Sequence, residues 1–171
     1  MKKIFIFFLC MILLSGCQTQ PSASQREKCE LVNVIDGDTL TVVCATKKEK
    51  VRLIGIDTPE SVHSDSSKNN EYGALASDYT KELLEDVEYV YLEYDKSMYD
   101  DYDRMLAYVY LTEDGSFEDS LNYILASDGY ALNKEFQPNV KYSDELEDAC
   151  KEAQNQEKGL WKEEGIKQIW K

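Results

Sequence analysis

Residues Val51–Glu60 read VRLIGIDTPE, and the fold is decided by how this stretch is interpreted. Val51, Leu53, Ile54 and Ile56 make an apolar run too short for a helix and rich in β-branched residues, as in a buried strand. Arg52 lies inside that run. A buried guanidinium without a partner is strongly unfavourable, so Arg52 must be ion-paired or aimed at a ligand. Pro59 ends the strand and leaves Asp57, Thr58 and Glu60 at its open end, where two carboxylates suit a metal or phosphate site.

Upstream, Leu31–Asp36 and Asp38–Val43 read as two strands joined at Asp36-Gly37, a strong hairpin dipeptide. Taken alone, Asp36 and Asp38 are ordinary turn formers. Downstream, Tyr99–Tyr110 (YDDYDRMLAYVY) sets Arg104 just before another alternating strand. Carboxylates at a turn, Arg/Asp/Glu on one strand and Arg on another form a convergent set. Carboxylate oxygens suit a hard cation such as calcium, and two guanidinium forks suit a phosphate.

Together these residues resemble the thermonuclease (staphylococcal-nuclease-like) family. The motifs that carry the resemblance are Val34-Ile35-Asp36-Gly37-Asp38-Thr39 and Arg52-Leu53-Ile54-Gly55-Ile56-Asp57-Thr58-Pro59-Glu60. Glu71-Tyr72-Gly73, Asp101-Tyr102-Asp103-Arg104 with Leu106-Ala107-Tyr108, and Gly159-Leu160-Trp161 follow in the family's order. The resemblance runs from about Leu31 to Trp161.

The resemblance implies an α+β, mainly β domain: a five-stranded OB-fold barrel with about three helices. It also implies a Ca²⁺ held by the carboxylates of Asp38 and Asp57 and the carbonyl of Thr58, with Asp36 as a supporting carboxylate outside the direct ligands. Glu60 is then the general base or the group that orients water, and Arg52 and Arg104 clamp the scissile phosphate. The implied reaction is hydrolysis of DNA or RNA at the bond to the 5′ oxygen, leaving a 3′ phosphate. Tyr102 matches a family tyrosine beside the substrate. Family members often carry two tyrosines before the pair seen here as Pro138-Asn139. This chain has Lys134 and Phe136 there: Phe136 can stack on a base, and Lys134 offers charge.

The coarse pattern predicts strands at 30–36, 39–45, 49–57, 87–95 and 104–112. It predicts helices at about 71–86 (apolar Leu75, Tyr79, Leu83), 117–128 (Leu121, Ile124, Leu125) and 142–157 (Leu146, Cys150, Ala153). The polar, aperiodic segment Ser61–Asn70 reads as a mobile loop beside the site. A length of 171 residues with 43% hydrophobic content supports one core, and no second one is expected.

Lys2 and Lys3 precede an apolar run from Ile4 to Leu14 that is too short to span a bilayer. Leu14-Ser15-Gly16-Cys17 then resembles a bacterial lipoprotein cleavage site. Residues 1–16 would be removed and Cys17 acylated (palmitate included), which would fix the protein outside the cytoplasm on the cell membrane. An uncleaved anchor or an ordinary signal peptide is the alternative. Residues 17–28 read as the lipidated Cys17 and a flexible tether, and 29–171 as the domain, expected to be monomeric.

Cys10 would leave with the leader, so Cys29, Cys44 and Cys150 remain in the domain. A two-residue turn at Asp36-Gly37 sets Cys29 opposite Cys44, as a disulfide or as two free thiols. The exported setting favours the disulfide. By that register the pair is hydrogen-bonded, with a Cα separation of about 5.5 Å. Cys150 reads as a core thiol. The single histidine, His63, and the absence of a C-x-x-C motif exclude an ordinary zinc site.

The net charge is −14, and residues 1–16 carry two lysines and no acid, so their loss makes it −16. Nucleic-acid binders ordinarily show a basic footprint. Asp100, Asp101 and Asp103 crowd Arg104, and the family typically has lysine and glycine where Asp101 and Asp103 stand. Two function classes follow: a membrane-tethered nuclease, or a non-catalytic OB-type module that binds nucleic acid or another ligand. Retention of Asp38, Arg52, Asp57, Glu60 and Arg104 together favours the nuclease, since a binding module does not need that set.

Overall fold

The computed structural model describes residues 26–60 and 71–170. The segment Ser61–Asn70, with His63, and the leader with Cys10 and Cys17 lie outside the described residues.

Five strands close into a barrel in the order β1-β2-β3-β6-β5: β1 (Glu27–Asp36), β2 (Thr39–Cys44), β3 (Lys47–Leu53), β5 (Tyr89–Glu93) and β6 (Met105–Tyr110). All ladders are antiparallel except β3 with β6, which run parallel. Alternating side chains fill the interior, with Leu40, Val42, Val51, Leu53, Val90 and Val109 fully buried. A separate two-stranded sheet pairs β4 (Ile56–Asp57) with β7 (Leu132–Asn133). The helices are α1 (Glu71–Leu83), α2 (Leu121–Ser127), α3 (Ser143–Asn155) and the short α4 (Ile166–Ile169). This is the α+β, OB-type barrel that the motifs imply.

Several boundaries differ from the sequence reading. The strand expected at 49–57 is two strands, because the chain bends at Gly55, where φ is +80°. Only glycine takes that conformation without cost, and a β-carbon there would collide with the Leu146 side chain. β1 begins at Glu27, two residues inside the segment expected as tether, and Arg26 stacks on the Tyr110 ring at 3.2 Å.

The hairpin turn also differs. It is Gly37-Asp38, with Asp36 opposite Thr39, not Asp36-Gly37. An uninterrupted ladder from that turn would set Cys29 opposite Thr46. Register shifts at Val32 and Ile35 put two extra residues into β1 and bring Cys29 opposite Cys44 after all. The shifts also change the phase of the ladder. The Cα atoms lie 4.4 Å apart, the spacing of a non-hydrogen-bonded pair and not the wider one expected. The two sulfurs are joined as a disulfide of 2.06 Å. The same bulges bend β1, which lets one strand pair with both β2 and β5 and close the barrel.

The packing of α1 corrects another expectation. Leu75 is 48% exposed, and the buried face consists of Gly73, Ala76, Ser77 and Thr80. Small residues let the helix approach β1 closely, and Thr80 Oγ1 donates to Gly37 O at 2.8 Å. On α3 the expected face is the buried one: Leu146, Cys150 and Ala153. Burial pushes the Cys150 thiol up to about 11, so it is an unreactive core group. A satellite cluster not foreseen from sequence gathers Ala76, Ala153, Leu160, Trp161 and Ile166, and it clamps the C-terminal segment across α1 and α3.

Candidate active site

The site is built at the seam where the β1–β2 turn meets the end of β4. Gly37 makes the approach possible, since a β-carbon there would fall 2.7 Å from Thr58 Oγ1. Asp38 lies in the turn. Its Oδ2 accepts hydrogen bonds from the Thr58 backbone N–H at 2.8 Å and from Thr58 Oγ1 at 3.1 Å. Its Oδ1 accepts one from Thr39 Oγ1 at 3.1 Å. Asp36, also buried, caps the turn by accepting the Gly37 N–H at 2.8 Å.

Arg52 lies opposite Thr39 on β3 and is buried. Its guanidinium spans both acids: Nη1 to Asp38 Oδ2 at 3.0 Å and Nη2 to Asp57 Oδ1 at 2.6 Å. Nη1 also donates to the carbonyls of Ile56 at 3.0 Å and Leu53 at 3.3 Å. The bend at Gly55 turns these carbonyls toward Arg52, so the strand break and the arginine's placement have one cause. The Phe136 ring lies 5.1 Å from the guanidinium, and Lys134 Nζ holds the other Asp57 oxygen at 2.9 Å.

Electrostatics bear on which group carries a proton. Burial raises the protonation range of Asp38, and the nearby Asp57 and Asp36 add to that, while Arg52 and the Thr58 N–H oppose it. In this structure the cations of Arg52 and Lys134 lie on Asp38 and Asp57. The site's donors are all oxygen, and Arg52 shows that Asp38 and Asp57 face one common cationic position. The carboxylates of Asp38 and Asp57 and the Thr58 carbonyl are therefore oxygen donors of the kind a hard divalent ion takes, with Arg52 between the two acids. Among the described residues the one grouping of three acid or thiol ligand atoms within 4.8 Å of one another is Glu27 with Cys29 and Cys44, and both sulfurs are committed to the disulfide.

Arg104 enters from the start of β6. Its Nε donates to Asp100 Oδ2 at 2.7 Å, and Asp100 Oδ1 accepts the Arg104 and Tyr102 N–H groups at 2.9 Å each. Burial alone would raise the Asp100 carboxyl, but these bonds outweigh it and hold the acid below its ordinary range. The sequence reading crowded three aspartates around this arginine, and the ion pair goes to Asp100. The Nε contact orients the guanidinium and leaves its two Nη groups as a fork.

A cleft of about 180 Å³ brings Asp36, Asp38, Arg52, Glu60 and Arg104 together, with Lys50 on its wall. Asp57 and Thr58 adjoin it through Arg52 and Asp38. Tyr102 stands at the rim, 82% exposed, with its ring 5.5 Å from the Arg104 guanidinium. Sequence reasoning missed Lys134 as a partner of Asp57, since nothing local links residues 77 positions apart. It also missed Asn139, whose amide bonds both the N–H and the carbonyl of Ser97 at 2.7 and 2.8 Å, fixing the segment that leads to Arg104. Its place beside Pro138 was the only available signal.

Comparison with known proteins gives a consistent picture. Residues 50–163 match the model of the staphylococcal nuclease homologue family, and residues 1–18 match the prokaryotic membrane lipoprotein lipid attachment site. The chain is 40% identical over 140 residues to the thermonuclease of Staphylococcus hyicus, covering 82% of this chain and 79% of that one. It is 42% identical over 128 residues to the thermonuclease of Staphylococcus intermedius, covering 75% and 72%. With Endonuclease YncB of Bacillus subtilis (strain 168) it shares 36% identity over 151 residues, 85% of this chain and 68% of that one.

Proposed function

The chain belongs to the staphylococcal nuclease family, and from that premise we propose that it is a calcium-dependent phosphodiesterase cleaving DNA or RNA. The observation that carries this reading is the single unit formed by Asp38, Arg52 and Asp57, opening on the cleft that Glu60 and Arg104 share.

Asp38, Asp57 and the Thr58 carbonyl would hold the metal, with Asp36 as a supporting carboxylate outside the direct ligands. When bound, calcium neutralises charge on the phosphate and polarises its P–O bond. Arg52 and Arg104 bind the non-bridging oxygens from two sides and stabilise the charge that builds as phosphorus becomes five-coordinate. Glu60 accepts the proton of the attacking water. The bond to the 5′ oxygen breaks, that oxygen leaves with the electron pair and is protonated, and the 3′ phosphate remains on the other fragment. Phe136 and Tyr102 offer ring faces to bases on either side of the clamp.

In the same proposal, residues 1–16 are a signal peptide, Cys17 carries the acyl chains, and the polar residues that follow are the tether. The barrel domain then works outside the cytoplasm at the cell membrane. The test uses the full chain in detergent micelles with DNA and with RNA. Hydrolysis should need added Ca²⁺, stop in chelator and be poorly supported by Mg²⁺, which demands tighter octahedral geometry. Full activity in chelator would show the metal assignment to be wrong.

A further inference from the structure

We propose that the outer face of β3 is a phosphate track, on which Lys48 and Lys50 lead a single-stranded nucleic acid toward Arg52. The inference rests on the nuclease reading and adds where the rest of the strand lies. Val51 and Leu53 point into the barrel and are fully buried, so Lys48, Lys50 and Arg52 alternate onto the opposite face. Residues two apart on a strand repeat every ~6.7 Å. That repeat is comparable with the spacing of successive phosphates in an extended single strand.

The surroundings leave these charges available. Opposite Lys48, Lys50 and Arg52 on β2 stand Val43, Thr41 and Thr39, none of them acidic. On the other side Val51 pairs with Met105, which brings Arg104 beside Lys50, and both line the cleft. Among the described residues no ion pair holds Lys48 or Lys50, whereas Arg52, Arg104 and Lys134 each lie on a carboxylate. Lys47, on the other face, is committed to Glu49. In so acidic a chain, two exposed cations without acids of their own, in line with the clamp, form a path that an anionic strand can follow. Tyr102, with its ring 5.5 Å from the Arg104 guanidinium and 82% exposed, supplies a ring face next to that path.

The test compares the full chain with its Lys48→Gln/Lys50→Gln variant. Both residues are exposed, so folding is unaffected. Binding of a fluorescein-labelled single-stranded oligonucleotide is followed by anisotropy in chelator across a salt series. Each neutralised phosphate contributes about 0.7 to the slope of log affinity against log salt on single strands, so the variant's slope should be shallower by about 1.4. Hydrolysis of a dinucleotide with Ca²⁺ should be equal in the unmodified chain and in Lys48→Gln alone, whose lysine lies outside the cleft lining, because the dinucleotide's single phosphodiester reaches only the clamp. An unchanged slope overturns the track, and so does a loss on the dinucleotide in Lys48→Gln, which would place that lysine within the clamp itself. A wild-type chain that binds the strand but hydrolyses nothing defeats the nuclease reading, and the slope still decides the track.

Discussion

At the residue scale, Arg52 and Arg104 differ in what their loss would do, although both are assigned to the phosphate. Arg52 is buried between Asp38 and Asp57, so Arg52→Ala leaves a buried carboxylate without its cation. Breaking such a pair costs about 3–5 kcal/mol. Arg104 is partly exposed and its partner Asp100 keeps two backbone hydrogen bonds, so Arg104→Ala should fold normally. Each arginine variant, and Glu60→Gln, should lower kcat by about 10² or more, as expected when a transition-state group is removed. Thermal melts beside the kinetics separate the two arginines: only Arg52→Ala should melt early. Near wild-type rates in both Glu60→Gln and Arg104→Ala would rule out the proposed mechanism.

At the element scale, two devices hold the barrel closed. The Cys29–Cys44 disulfide locks the open end of the β1–β2 hairpin across a sequence separation of 15 residues. A loop of that length corresponds to about 3 kcal/mol in the chain-entropy account. Cys29→Ser/Cys44→Ser should therefore lose roughly that much stability in urea melts and keep its activity wherever it remains folded. The second device is Glu93 at the end of β5, 4% exposed and held by Arg26 at 3.5 Å, Lys141 at 2.5 Å and Tyr142 at 3.0 Å. Burial pushes its carboxyl up, but the hydrogen bonds from Lys141 and Tyr142 oppose it and the carboxyl ends below its ordinary range. Its contribution to stability is thus present above the unfolded-state value and disappears as pH falls through the folded one. Glu93→Gln should be less stable at neutral pH and should flatten the acid limb of the stability curve. An unchanged limb would mean that Glu93 does not act through its charge. The periodicity of β5 offered no hint of this acid's partners, which come from segments far away in sequence.

At the scale of the whole molecule, an acidic chain is proposed to act on an acidic polymer. Asp101 and Asp103 are exposed in the turn that leads to Arg104, where they would repel the phosphates flanking the scissile one. Asp103 also has φ +59°, a left-handed conformation that glycine takes without cost, so Asp103→Gly fits the same turn. Asp101→Lys/Asp103→Gly should lower KM and steepen the salt dependence with kcat nearly unchanged, because what is added is uniform binding. A KM series over salt for both proteins checks this; no gain in KM would place these aspartates off the substrate path.

The order and chemistry of the groups were legible in the sequence alone. A β-branched run with one arginine, a proline stop and a turn of aspartates are local patterns, and local patterns follow from backbone sterics within a few residues. The strands were legible for the same reason, since alternation reports a strand's own buried face, and the barrel they close into followed from the resemblance to the family. Which groups meet was decided by the tertiary structure. The bulges at Val32 and Ile35 moved the turn and yet still paired Cys29 with Cys44. Close packing of α1 on β1 selected Ala76 and Thr80 over Leu75. Asp100 was chosen over its neighbours for Arg104, and Lys134 was brought to Asp57 across 77 positions. Each of these depends on where barrel closure puts distant segments, a balance of packing and pairing to which no single stretch of sequence has access.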